Sequence, residues 1–461
     1  MKTSQRNRAI AARSERANGE LAGREGAEKA LVPKLAYVAA FFVTFAIPNL
    51  VFSGPHWFDT LHIMKWFVTM TPVAIIAILA GLRLFKNGAG KMNFVMDPFA
   101  VAWLFFILLV SSQPIFIRLT SKPTFIKEWF FFATLFAVYL LAYNMPPKGV
   151  FFRILLWGCS LNALLNVIFA ELVVRGIKTG LPFIMDVPGN YIGNTAQQEM
   201  LGLWTAMAVF DCLFLHVHYA KEWNANRRSR ILLPLNLFFM AVNAWGLWNT
   251  TSRGGILAFM TGFIVIVISF VCGNLRKSVK HLCWLFGVVL MFLLIVLIAD
   301  FVAGGVSRAG PLVAKTLDMV QNPGTFGGRI AIWVVSGEVF KEHPISGVGL
   351  GHYKWHFLDG QRALYEKRPE LLDSPNYKWQ FTYWAHSEYL QWLCEIGLIG
   401  SIPMSVFGVW WLYLFLRALV KRREMSQEAI WGVGMLFLLF FDAMFSRPFH
   451  RIENAVWMSL A

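Results

Sequence analysis

The chain has little charge and none of the signatures of a soluble metal- or nucleotide-dependent enzyme. Only 15% of its 461 residues are Asp, Glu, Lys or Arg, whereas 57% are hydrophobic. A soluble domain of this length carries more charge. There is no Asp-x-Asp, so the usual metal-and-nucleotide site of sugar-nucleotide transferases is missing. Gly88-Ala89-Gly90-Lys91 ends in Met92 and lacks the first glycine of a Walker A loop. No Gly-x-Ser-x-Gly elbow exists. The five cysteines, Cys159, Cys212, Cys272, Cys283 and Cys394, show no CxxC or Cys/His zinc spacing. They read as small buried hydrophobes and leave the redox compartment open. No cleavable signal is expected in residues 1–34, which are polar and basic and read as a disordered cytoplasmic tail.

What the chain has is length in apolar runs. Segments of about 17–25 residues suffice to cross a bilayer. They are expected near 35–53, 66–82, 98–116, 128–145, 150–173, 196–217, 231–250, 255–275, 281–303, 398–420 and 428–446, with a further short one from 452. The 42 Phe and 19 Trp suit lipid-facing and interfacial positions. The predicted fold is therefore all-α: a multi-pass membrane protein with about 11–12 transmembrane helices and one large external loop domain. The tail spans 1–34, a nine-helix bundle 35–303, the loop domain 304–386, and the remaining helices 387–461.

The net charge of +16 sits at the ends of apolar segments, which points to membrane orientation rather than to nucleic acid. With the N-terminus inside, the cytoplasmic connections hold Arg83/Lys86/Lys91, Lys148, Lys221/Arg227/Arg228/Arg230, Arg276/Lys277/Lys280 and Arg417/Lys421/Arg422/Arg423. The opposite connections hold fewer: Lys65, Arg118/Lys122, Arg175/Lys178, Arg253 and Arg447/Arg451. Arg253, the loop domain and His386 then share the external face.

Four constellations there could carry chemistry. His386 lies in Trp384-Ala385-His386-Ser387-Glu388, where the loop meets an apolar helix. His386, Leu390, Leu393 and Gly397 form one helical stripe, while Glu388, Gln391 and Glu395 point elsewhere. Glu395 is thus a poor partner for His386 and is expected to pair with another helix. By sequence physics alone, an interfacial anchor beside Trp384 is the favoured reading of His386 over a catalytic base. Arg253, in Thr250-Thr251-Ser252-Arg253-Gly254-Gly255, joins two apolar helices; it suits a phosphate fork or simple snorkelling to the interface. Arg329, with Trp333 and the Pro344/Gly347/Gly349 turn, suits a loop-domain helix, and its guanidinium a surface ion pair. Residues 188–198 offer Asn and Gln for sugar hydroxyls, or an ordinary turn. Residues 359–380, charged and Pro-containing, are expected to be mobile.

Together these motifs resemble the O-antigen ligase superfamily. The resemblance rests on Ser252-Arg253-Gly254, on Arg329-x3-Trp333 leading to Pro344-x2-Gly347-x-Gly349, and on His386-Ser387-x-x-Leu390 followed by Glu395-x-Gly397-x-x-Gly400. It implies a bacterial inner-membrane enzyme that moves a glycan from undecaprenyl pyrophosphate to an acceptor hydroxyl at the periplasmic face. The partners it implies are that lipid-linked donor, a lipid A–core acceptor and membrane lipid, with no metal or other cofactor. His386 matches the family's essential His and Arg253 its essential Arg; Arg329 matches an Arg of the loop motif. Asp186 and Val187 stand where ligases often have a further Arg, and Arg175 or Lys178 is the expected replacement. Polysaccharide polymerases and protein O-oligosaccharyltransferases share the superfamily. A flippase for the same lipid is the rival from another class, kept open by Asp211 and Asp442 inside apolar segments.

Overall fold

The computed structural model describes residues 34–50, 60–87, 95–144, 148–177, 189–195, 197–273, 327–371, 381–421 and 425–461, with a few single positions between them. The expected tail, Lys178, most of the 281–303 segment and residues 304–326 lie outside the described residues.

The described residues form helices joined by turns and irregular loops, without a strand. In chain order the helices are α1 (Lys34–Asn49), α2 (Thr60–Asn87), α3 (Pro98–Phe116), α4 (Lys122–Asn144), α5 (Lys148–Val174), α6 (Gln198–Glu222), α7 (Arg227–Asn249) and α8 (Arg253–Gly273). They continue as α9 (Gly327–Glu342), α10 (Tyr353–Lys367), α11 (Glu388–Val420), α12 (Gln427–Asp442) and α13 (Ile452–Leu460). Among the described residues eight helices, α2 to α8 and α11, are long and apolar enough to cross a membrane. The protein is an all-α, multi-pass membrane protein.

Local signals set several helix starts. Asp97 accepts from Ala100 N (2.9 Å) ahead of Pro98, Asn226 accepts from Arg228 N (3.0 Å), and Ser426 accepts from Ala429 N (3.2 Å), each satisfying a donor that the first turn leaves free. The bundle is organised around α6, whose spanning stretch is entirely buried, packed on α5, α7 and α8. Small residues set the closest approach. A Cβ at Gly255 of α8 would lie 2.7 Å from the Gly202 carbonyl carbon of α6, so the two helices touch backbone to backbone near their N-terminal ends.

Three expected spans differ in extent. The 35–53 run ends at Asn49 after its last turns open to π and tighten to 3₁₀ at Pro48. The last long run gives α12, of 16 residues. The helix expected from 398 begins at Glu388 and contains a break at Gly397 (φ 60°, ψ −165°).

The break has a partner. Around it, Val348 N donates to Cys394 O (2.8 Å), Gly349 N to Glu395 O (2.9 Å), Leu398 N to Pro344 O (2.9 Å) and Ile399 N to Ile345 O (3.1 Å). The Pro344–Gly349 turn therefore zips onto the backbone that the break in α11 exposes. Gln113 of α3 closes the joint, donating to Ser346 O and Glu395 O (both 2.9 Å).

The loop-domain helices form their own small core. Ile332, Val335 and Val339 of α9 pack against Tyr353, Phe357 and Leu364 of α10, with Ala385 and Cys394. Residues 359–367, expected to be mobile, are thus helical, and a 3₁₀ turn follows at Pro369–Leu371. The charges of this stretch lie on the outer face, as in the exposed Arg362–Glu366 pair (2.9 Å), while the inner stripe is apolar. Residues 372–380 lie outside the described residues.

Candidate functional site

His386 occupies the residue before Ser387, the N-cap of α11. Its backbone is left-handed, φ 51°. Among the described residues, the only other non-glycine with positive φ is Thr251, also at 51°, two residues before Arg253. Such geometry costs a side-chain-bearing residue roughly 1–2 kcal/mol. It persists only where neighbours over-determine it. Both strained positions fall in motifs singled out from the sequence.

The neighbours of His386 are identifiable. Ala385 is held on two sides: Trp333 Nε1 of α9 donates to its carbonyl (3.1 Å), and its N–H donates to Gln391 Oε1 (3.2 Å). Trp384 lies under the Arg447 guanidinium, 4.8 Å from the ring centroid, and against the His450 ring at 4.9 Å. The imidazole of His386 is half-buried beside Arg329 and Arg447, with Glu199 as the opposing charge. Burial first, and then the two guanidiniums, push its pKa down to about 4, so the ring is neutral at physiological pH.

Arg329, in the first turn of α9, donates to Glu199 Oε1 at 2.6 Å. Glu199 stands in the first turn of α6. The Gly202/Gly255 contact brings that turn against the start of α8, where Arg253 is the first residue. A Cβ at Gly254 would lie 3.5 Å from Asp442 Oδ1, at the end of α12. Asp442 in turn feels the charges of Glu199, Arg329 and Glu388. His386, Arg329, Arg447, Glu199 and Asp442 thus form one electrostatic cluster, and the first turn of α8 brings Arg253 to its edge.

Some expected participants are engaged elsewhere. Arg175 pairs with Glu171 one turn back in the chain (3.2 Å), and Arg447 is a further guanidinium beside His386. Asn194 accepts from Met185 N (3.0 Å) and donates to Asn49 O (3.3 Å), and Gln197 accepts from the buried Arg451 (3.1 Å). These amides hold the 191–197 segment onto α1, α5 and the α12–α13 linker. Glu395 is buried as expected, but its acceptors serve the loop backbone: Gly351 N at 2.8 Å and Tyr353 N at 3.4 Å, with Gln391 Nε2 at 3.1 Å. It joins α11 both to the Gly351 turn and to the first residue of α10.

Arg447 and Glu199 were not singled out by sequence reasoning. Arg447 was counted only as an external orientation charge, and Glu199 opens an apolar helix. The Trp384/Arg447 stacking that marks the first is a long-range contact with no sequence signal. Among the described residues, no group of three His, Cys, Asp or Glu side chains is placed to hold a metal ion.

The fold and this cluster define a helical membrane protein with a neutral imidazole set among guanidiniums at the junction of its spans and its loop helices. Residues 237–405 match the family model described as O-antigen ligase, which supports membership of that superfamily over the segment running from α7 through Arg253, Arg329 and His386 into α11. That family carries ligase- or polymerase-type glycan transfer. No curated protein and no solved structure matches the chain.

Proposed function

We propose that the protein transfers a glycan from undecaprenyl pyrophosphate to an acceptor hydroxyl, as an O-antigen ligase acting on lipid A–core in lipopolysaccharide synthesis. The active face is periplasmic, in the bacterial inner membrane, with residues 304–386 as the periplasmic loop domain. The observation that carries this reading is the position of His386, half-buried and left-handed before α11, beside Arg329 and Arg447.

In the proposed step the acceptor oxygen attacks the anomeric carbon, and the bond from that carbon to the pyrophosphate oxygen breaks. The acceptor proton passes to His386, and the pyrophosphate leaves with both bonding electrons. A direct displacement inverts the anomeric centre. Arg253, Arg329 and Arg447 supply guanidinium forks for the leaving charge, so no divalent ion enters the step. The same charge balance serves the base. A bound pyrophosphate offsets the guanidinium field on His386 and raises its proton affinity towards the ordinary range near 6.5, where an imidazole works well as a base at neutral pH.

The flippase rival calls for a polar site near the bilayer midplane. Asp442 instead closes the end of α12 within the His386 cluster, and Asp211 is fully buried and accepts from Trp431 Nε1 (2.6 Å). Reconstitution in liposomes with undecaprenyl-pyrophosphate glycan tests the assignment, offering lipid A–core, a pilin-like protein and a second glycan separately. Transfer to lipid A–core is expected. Transfer only to a protein or to glycan would move the protein to another branch of the superfamily, and lipid translocation without transfer would refute the reading.

A further inference from the structure

His386 is held from both sides by one short segment of chain, the linker between α12 and α13. Two residues before it, Trp384 meets both Arg447, over its ring at 4.8 Å, and His450, edge-on at 4.9 Å. Two residues after it, Glu388 is fully buried and meets the same linker three times. Its N–H donates to Ala443 O (2.9 Å), its Oε1 accepts from Phe449 N (2.8 Å), and its Oε2 lies 2.6 Å from His450 Nδ1. The other ring nitrogen of His450 lies 3.0 Å from the Gln391 amide that also fixes Ala385. A left-handed residue such as His386 keeps its conformation only where its flanks are fixed. These bundle-side contacts of Trp384 and Glu388 come from Ala443, Arg447, Phe449 and His450.

We infer that the Glu388–His450 pair is a positioning device for the transfer step: it latches the α12–α13 linker to the His386 turn, and so sets where the imidazole of His386 stands. This rests on the reading of His386 as the base. Neither Glu388 nor His450 is placed to touch substrate; each acts through His386. The latch is the close pairing of Nδ1 with Glu388 Oε2 at 2.6 Å, which needs a proton on Nδ1, present in the imidazolium and in one neutral tautomer. The carboxylates favour it. Burial opposes charge on His450, but Glu388, with Glu395 and Glu128 beyond it, outweighs burial and lifts the ring to about 9.

The contacts make a sharp distinction between two similar replacements. Asparagine places an N–H near the position of Nδ1, so His450→Asn keeps a donor for Glu388. Glutamine reaches the position of Nε2, so His450→Gln leaves the buried Glu388 Oε2 without its partner. The experiment measures kcat, the acceptor KM and donor retention for both variants in reconstituted protein, with undecaprenyl pyrophosphate carrying an oligosaccharide as donor and lipid A–core as acceptor. Glu388→Gln serves as a second disruption that retains an acceptor for Phe449 N. His386→Ala, alone and combined with His450→Gln, completes the cycle.

The expected result is a fall in kcat of about 10–100-fold for His450→Gln, the scale of a misplaced catalytic group. Donor retention and acceptor KM should stay near wild type, Glu388→Gln should shift kcat in the same direction, and His450→Asn should recover most of the loss. In the His386→Ala background, His450→Gln should remove nothing further. Normal turnover by His450→Gln beside an inactive His386→Ala overturns the latch alone and leaves the base assignment standing. Equal loss in His450→Asn and His450→Gln, loss of donor retention, or additional loss on top of His386→Ala would each show a general role in folding and overturn it. Full transfer by His386→Ala overturns both readings together.

Discussion

Replacing Gly397 by alanine attacks the joint between α11 and the Pro344–Gly349 turn. At φ 60° and ψ −165° the residue sits in a region that is essentially glycine's alone, and a side chain there costs roughly 1–3 kcal/mol. The added Cβ would also overlap the carbonyl oxygen of Ile345 and come within 2.5 Å of Gly347 N. Relief requires the turn to lift away. That movement endangers the four backbone hydrogen bonds of the joint; losing the nearest two adds roughly 1–3 kcal/mol, at about 0.5–1.5 kcal/mol each. A total of roughly 2–6 kcal/mol is a large share of the stability of any one domain. Thermal unfolding in detergent, followed by loss of monodisperse protein, measures it. Gly408→Ala is the control, because it lies in the same helix and a Cβ there meets nothing within 4 Å. Gly408→Ala should melt with wild type or slightly above it, and Gly397→Ala several degrees below. Equal melting of all three would refute the argument that the break in α11 is what seats the loop.

Two further outcomes follow from the site. Arg253→Lys keeps the charge but loses the planar fork, so donor retention and turnover should both fall, by about tenfold or more if a bidentate contact is lost; a folded variant that turns over at the wild-type rate contradicts a pyrophosphate contact. Arg447→Met removes one of the two cations that hold down the proton affinity of His386, so the acid limb of the pH–rate profile should move to higher pH, the base being lost as pH falls through its pKa. An unmoved acid limb would show that Arg447 does not act on the imidazole.

The membrane architecture was legible because nearly every span announces itself as an uninterrupted apolar run, and α6 and α8 fall close to their expected bounds. Periodicity failed where charge disguised it. In α10 the residues Lys354, Asp359, Arg362, Glu366 and Lys367 conceal the Tyr353/Phe357/Leu364 stripe that packs on α9. Within the cluster, His386, Arg253 and Arg329 stood out because each is a polar residue at the end of an apolar or glycine-rich element. Arg447 did not, since a basic residue beside a span serves orientation equally well. Its place beside His386 depends on stacking over Trp384, 63 positions earlier in the chain. The zipping of 344–349 onto 394–399 has the same character: the glycines were visible, but which backbone they allow to approach is a property of the folded chain alone.

The proposed role of His386 is to take the proton of the acceptor hydroxyl. Its most direct test is single-turnover transfer by His386→Ala with donor retention measured on the same sample. Donor retention should equal wild type while transfer falls by about 10²–10⁴-fold, the contribution of a positioned general base. Wild-type transfer by that variant would contradict the account.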